Sequence, residues 1–276
     1  MSDTSLKLPR ILCLHGKLGV GSNADVLFLQ TRTLRSQLDT TFRFVFANGP
    51  FFCEPGPGML PAYGGAEPFR RWLRWSSKHR VLKPKSHLEA LRKCIEDAMD
   101  DDDQAGATGA WVGLLGFSQG ARLAASILFE SQRREIVKQN GGTTMGYEGE
   151  NVKTKLWSQK WQFAVLFSGP SPLVAMSPGL GDLPLQSPEE LDLTTEELDK
   201  FDPTGKICIE RPTLHVIGRG DEWAPSQRRL YDKYCSEASR NLVEWDGEHR
   251  IPIEPSLTKN ICEMILGIAG KTAGGQ

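Results

Sequence analysis

Gly116-Phe117-Ser118-Gln119-Gly120 forms a G-x-S-x-G pentad near the middle of a 276-residue chain. At this spacing a tight strand-to-helix turn pushes the serine hydroxyl clear of the backbone, and the flanking positions need glycine because a Cβ there would meet neighbouring chain. The context suits such a turn: an apolar run, residues 111–115, precedes the pentad, and Ala121, Ala124 and Ala125 after it would let a helix lie close to a sheet. A glycine-rich turn holding an ordinary serine is the alternative.

A serine hydroxyl is a poor nucleophile near neutral pH. It needs a histidine base, and that imidazole needs a carboxylate to fix its tautomer and stabilise its charged form. In turns of this type the chain order is serine, acid, histidine. Only His215 and His249 lie downstream of Ser118. His215 sits between Leu214 and Val216 in an apolar run and reads as a core histidine, whereas His249 follows Asp246-Gly247-Glu248 in a polar loop and is the expected base. Asp221, a few residues beyond an expected strand and preceded by Gly218 and Gly220, is the expected carboxylate. Its competitors are Asp246, too near His249 in sequence, and Glu222, which faces away when Asp221 faces in. Acyl transfer also needs N–H donors aimed at the developing oxyanion. The backbone of Gln119 is one expected donor; the second comes from the loop His15-Gly16-Lys17-Leu18, with Lys17 as the candidate and Leu18 as the alternative.

These residues meet only if the chain brings distant segments together. Apolar runs at 10–14, 42–47, 111–115, 163–167, 213–217 and 242–245 alternate with helical patterns, which predicts an α/β fold: a mostly parallel sheet with helices on both faces. Ser86-His87-Leu88-Glu89 reads as a capping box opening a helix. That helix should stop at Asp100 to Asp103, because negative charge is unfavourable at a helix C-terminus. Further helices are expected at 119–136, 226–238 and 256–268. Inserted segments rich in Pro and Gly, about 51–85 and 168–206, follow strands at the edge where such sheets bind ligands, the second with a short helix near 194–200. Residues 141–149 read as a connector, and one domain is expected over 1–276.

Phe51, Phe52, Tyr63 and Trp72 fall in the first insertion and suit a lipophilic slot for an acyl chain. The spacing of Phe69, Trp72 and Leu73 fits a buried helix face equally well. Seven basic residues and no acid lie between 70 and 85, either a solvated face or a docking patch for an anionic carrier. Lys and Arg total 33 against 34 Asp and Glu, a net charge of −1, which argues against a nucleic-acid binder. The six cysteines are dispersed, without C-x-x-C or metal-ligand spacing, so reduced thiols, no metal and no cofactor are expected. No apolar run reaches the roughly 18 residues of a membrane span, and Met1 to Arg10 has no signal-like core, so the expected location is the cytoplasm.

Residues 10–16, 42–52, 55–58, 68–72, 116–120, 212–218, 221–223 and 247–249 together resemble, in order, the "family of serine hydrolases" of fungi and other eukaryotes. That family is related to the human ovarian-cancer-associated hydrolase and includes the lovastatin-pathway thioesterase and its relatives in fungal polyketide clusters. The resemblance implies an α/β-hydrolase fold, a Ser118, Asp221, His249 triad and cofactor-free hydrolysis of acyl esters or thioesters. The chain departs from the family's pattern in a loop after His15-Gly16 that is a few residues longer, in Lys17, where a small or apolar residue is usual, and in Asn48-Gly49-Pro50, where Asp-Ala-Pro is common. The expected activity is release of an acyl or polyketide chain from an acyl carrier protein in fungal secondary metabolism. A carboxylesterase for lipophilic oxoesters, a non-catalytic binding module and carbon–carbon cleavage or cyclisation are the alternatives.

Overall fold

Strands covered on both faces read as near-continuous apolar runs, and the central strands of this chain do. In a computed structural model describing residues 3–16, 22–54, 63, 65–141, 154–177, 183–191, 197–198, 203 and 207–273, β1 (Arg10–Leu14) and β6 (Phe163–Phe167) are buried along their whole length. They join β2 (Arg43–Ala47), β5 (Trp111–Phe117), β7 (Thr213–Gly218) and β8 (Arg240–Trp245) in one sheet of order β2-β1-β5-β6-β7-β8, with every pairing parallel. Alternate side chains serve opposite cores. Leu12, Leu14, Leu114 and Leu166 face one cluster, while Ile11, Cys13, Leu115 and Val165 face the other.

The order reverses at β1, which has β2 on one side and β5 on the other. In open parallel sheets such a reversal leaves a crevice beyond the strands' C-terminal ends, where ligands bind. His15 leaves β1 and Ser118 leaves β5 at this point.

All six strand expectations hold within two residues. The helices α3 (Pro84–Gln104), α4 (Gln119–Gln139), α6 (Ala224–Tyr234) and α7 (Pro255–Ala273) correspond to the expected ones, with two corrections in α3. The helix starts at Pro84, whose fixed φ suits the first helical position, so Ser86 lies inside it and caps nothing. It also runs through the acidic cluster to Gln104. Asp102 accepts from Arg10 Nη1 at 3.2 Å and Arg43 Nε at 2.7 Å, and Lys155 of the short helix α5 (Lys155–Ser158) binds Asp100 at 2.6 Å and also Asp103. These cations neutralise the charge that would otherwise end the helix.

The unanticipated elements include α5, α1 (Ala24–Gln30), α2 (Arg32–Leu38) and an antiparallel ribbon of β3 (Phe51–Phe52) with β4 (Arg70–Arg71). The helix expected near 194–200 and the connector at 141–149 lie outside the described residues except for 141 and 197–198. Among the described residues no helix is long and apolar enough to cross a membrane, and the six cysteines are free thiols.

Two histidines are sealed in neutral form. Burial pushes His15 down to about 4 and His215 to about 3. Unfolded histidine binds a proton below about 6.5, so from there down to those values the unfolded state holds more protons than the folded one. Stability should therefore fall as pH drops through this window. Urea midpoints at pH 8 to 4 would show it, with a shallower slope for His215→Asn.

Candidate active site

Ser118 sits between β5 and α4 with φ 52° and ψ −118°, a conformation that costs a non-glycine residue on the order of 1–3 kcal/mol and persists only when its surroundings hold it. Its N–H donates to Phe167 O at 2.8 Å, and its carbonyl accepts from Arg122 N at 3.1 Å. Both glycines of the pentad are sterically required. A Cβ on Gly116 would lie 2.4 Å from Ala121 N, and one on Gly120 2.1 Å from Leu14 O.

The loops after β7 and β8 are laced together, Gly220 N donating to Gly247 O at 2.9 Å and Arg219 N to Trp245 O at 2.9 Å. This lacing sets Asp221 against His249. Ser118 Oγ lies 2.9 Å from His249 Nε2, and His249 Nδ1 lies 2.7 Å from Asp221 Oδ2. Asp221 is buried, and burial alone would raise its pKa. The His249 hydrogen bond and charge, the Gln227 amide at 2.6 Å and the Trp223 N–H at 2.9 Å outweigh that and hold it below the ordinary carboxylate value. The carboxylate therefore stays ionised with both oxygens engaged. It fixes Nδ1 as the protonated nitrogen and leaves Nε2 free to accept from Ser118.

The competing residues are placed elsewhere. Asp246 is exposed and pairs with Arg219 at 2.5 Å, while Glu222 is exposed and accepts from Trp223 Nε1 at 3.1 Å. His215 is enclosed between Thr213 Oγ1 at 3.1 Å and Cys235 Sγ at 3.4 Å.

Gln119 begins α4 directly after Ser118, where the first amides of a helix have no partner within it. Lys17 lies outside the described residues. The four aromatic candidates do not form one slot. Trp72 is fully buried in the core cluster of the α4 face, which corrects its assignment to an acyl pocket. Phe51 meets the His87 ring edge-on at 4.7 Å, Phe52 is 65% exposed beneath the Arg70 guanidinium, and Tyr63 packs on the Val26 and Phe69 cluster.

The basic run also divides. Arg71 is buried, Arg70 and Arg74 donate to Gly49 O at 3.4 Å and Glu189 O at 3.0 Å, and Lys78, Arg80, Lys83 and Lys85 are exposed. Among the described residues no cluster of His, Cys, Asp and Glu is arranged to hold a metal.

The family model "Serine hydrolase (FSH1)" matches residues 1–261. The chain belongs to that family. It is 59% identical over 250 residues to "Probable esterase TOX9" of Cochliobolus heterostrophus, covering 91% of this chain and 90% of that one. It is 39% identical over 270 residues to "Esterase citA" of Monascus ruber, covering 98% and 95%, and 36% identical over 274 residues to "Esterase claE" of Penicillium crustosum, covering 99% and 97%. The largely parallel sheet flanked by helices is consistent with an α/β-hydrolase fold.

Sequence reasoning missed His15 and the side chain of Gln119. His15 Nε2 accepts from Gly49 N–H at 3.0 Å, so Nδ1 carries the proton and donates to Gly16 O at 2.9 Å, stiffening the start of the loop after β1. Its signal was a histidine directly at the end of an apolar strand.

Asp221→Asn should leave the fold in place and lower kcat by on the order of 10⁴ by presenting the wrong histidine tautomer. Steady-state kinetics on a small aryl ester, with circular dichroism as the control, checks this.

Proposed function

We propose that this protein hydrolyses carboxylic esters through an acyl-enzyme formed on Ser118. The hydroxyl attacks the acyl carbonyl while His249 Nε2 takes its proton, and Asp221 holds the imidazole in place and stabilises its charged form. The N–H of Gln119 and a second donor from the loop after β1, Lys17 on the sequence reading, hold the oxyanion. His249 then protonates the leaving alcohol and, in the second half, draws a proton from the water that attacks the acyl-enzyme. The observation that carries this reading is the continuous relay of 2.9 and 2.7 Å from serine to carboxylate. The names of the relatives, all esterases, support an oxoester as the substrate. Phe51, Phe52 and Tyr63 are the candidates to contact the acyl chain.

A second reading, release of an acyl or polyketide chain from an acyl carrier protein, has one observation in its favour. Lys78, Arg80 and Lys83 are exposed in a stretch, residues 70–85, that contains no acid. Such a surface attracts an acidic carrier.

Turnover of a matched oxoester and pantetheine thioester by wild type and Ser118→Ala tests both readings. The esterase reading expects oxoester hydrolysis that falls at least ~10³-fold in the variant; wild-type turnover persisting in Ser118→Ala, or none with any ester, overturns it. The carrier reading expects Lys78→Glu with Arg80→Glu to raise KM for a carrier-bound thioester while sparing the small ester. Equal changes on both substrates exclude docking at this surface.

A further inference from the structure

Residues 70–73 link two described stretches of the chain that leaves β1, at His15 and Ser22, to the turn that carries Ser118. Arg70 forms a two-way backbone bridge with Ser22, its N–H donating at 2.6 Å and its carbonyl accepting at 3.2 Å. The Trp72 indole Nε1–H donates to His15 O at 2.9 Å, and the two rings stack at 5.0 Å. The chain leaving β1 is therefore held at both ends, at His15 by a side chain and at Ser22 by backbone.

Trp72 and Leu73 also hold the residue that follows Ser118. Gln119 Oε1 accepts from Trp72 N–H at 2.9 Å and Leu73 N–H at 3.0 Å. One buried carbonyl oxygen thus satisfies two backbone donors that have no strand partner. Trp72 is anchored in turn from behind, its carbonyl accepting from His87 Nε2 at 2.9 Å.

We propose that Trp72 and the side chain of Gln119 are positioning residues that fix the distance between the serine turn and the chain leaving β1, the two segments from which the oxyanion donors come. This inference rests on the esterase reading above. Neither side chain touches the reacting atoms. An error approaching 1 Å in such an arrangement costs on the order of 10²-fold in rate, because the donors must match the transition state rather than the bound ester.

Trp72→Phe removes the indole N–H and keeps a large apolar ring; Gln119→Met removes the acceptor and keeps chain length. Each should lower kcat roughly 10- to 100-fold with KM for the ester changed by less than about threefold. Affinity for a trifluoromethyl ketone, which forms a tetrahedral adduct on Ser118, should fall by the same factor as kcat. Affinity for the product carboxylate should hold.

Two results overturn the proposal. One is kcat and ketone affinity within twofold of wild type in both variants while Ser118→Ala is inactive, which leaves the esterase reading standing. The other is equal loss of ketone and product affinity with a lowered melting temperature, which marks a packing role. Wild-type turnover in Ser118→Ala would instead sink the esterase reading itself.

Discussion

The left-handed backbone at Ser118 is the constraint around which the rest of the molecule is arranged. A serine at φ 52° is held there by hydrogen bonds from both flanks and by two glycines whose missing Cβ atoms let α4 and the end of β1 approach. The close approach of Gly120 to Leu14 O ties the turn to β1 rather than to β5 alone. Because the sheet order reverses at β1, the strained serine faces the one place where loops from both directions of winding converge.

Electrostatics at the site is settled by hydrogen bonding more than by net charge. Asp221 is ionised in a buried setting because three donors converge on it, while Asp246 is exposed and paired with Arg219. The His249 ring lies 5.1 Å from the Phe117 ring, so the residue before the serine supports the base on its flank. Asp221 and His249 come from adjacent strands whose loops share backbone hydrogen bonds. Their separation is therefore set by sheet pairing and does not depend on the inserted segments.

What was legible in the sequence follows from how local each signal is. Strands covered on both faces read as near-continuous apolar runs; the serine sits directly after one, and the aspartate and histidine follow theirs within four residues. The end of α3 was not legible, because Arg10, Arg43 and Lys155, which neutralise its acidic turn, lie 52 to 93 positions away in the chain. Trp72 misled for a related reason. Its aromatic character suggested a pocket wall, yet its N–H and carbonyl groups are what it contributes, and those partners at His15, Gln119 and His87 leave no periodic trace.

The departure at Asn48-Gly49 belongs to the same arrangement. Asn48 Oδ1 accepts from Ala24 N–H at 2.9 Å, so a neutral amide satisfies the first backbone donor of α1, whose N-cap is Asn23. Gly49 donates to His15, and a Cβ at this position would lie 2.5 Å from Arg71 O. Alanine at 49 therefore requires β4 to stand farther from the end of β2. Since Arg71 leads directly into Trp72, that shift would pass to His15 and Gln119. Gly49 thus couples the end of β2 to the β3–β4 ribbon and, through Arg71, to Trp72.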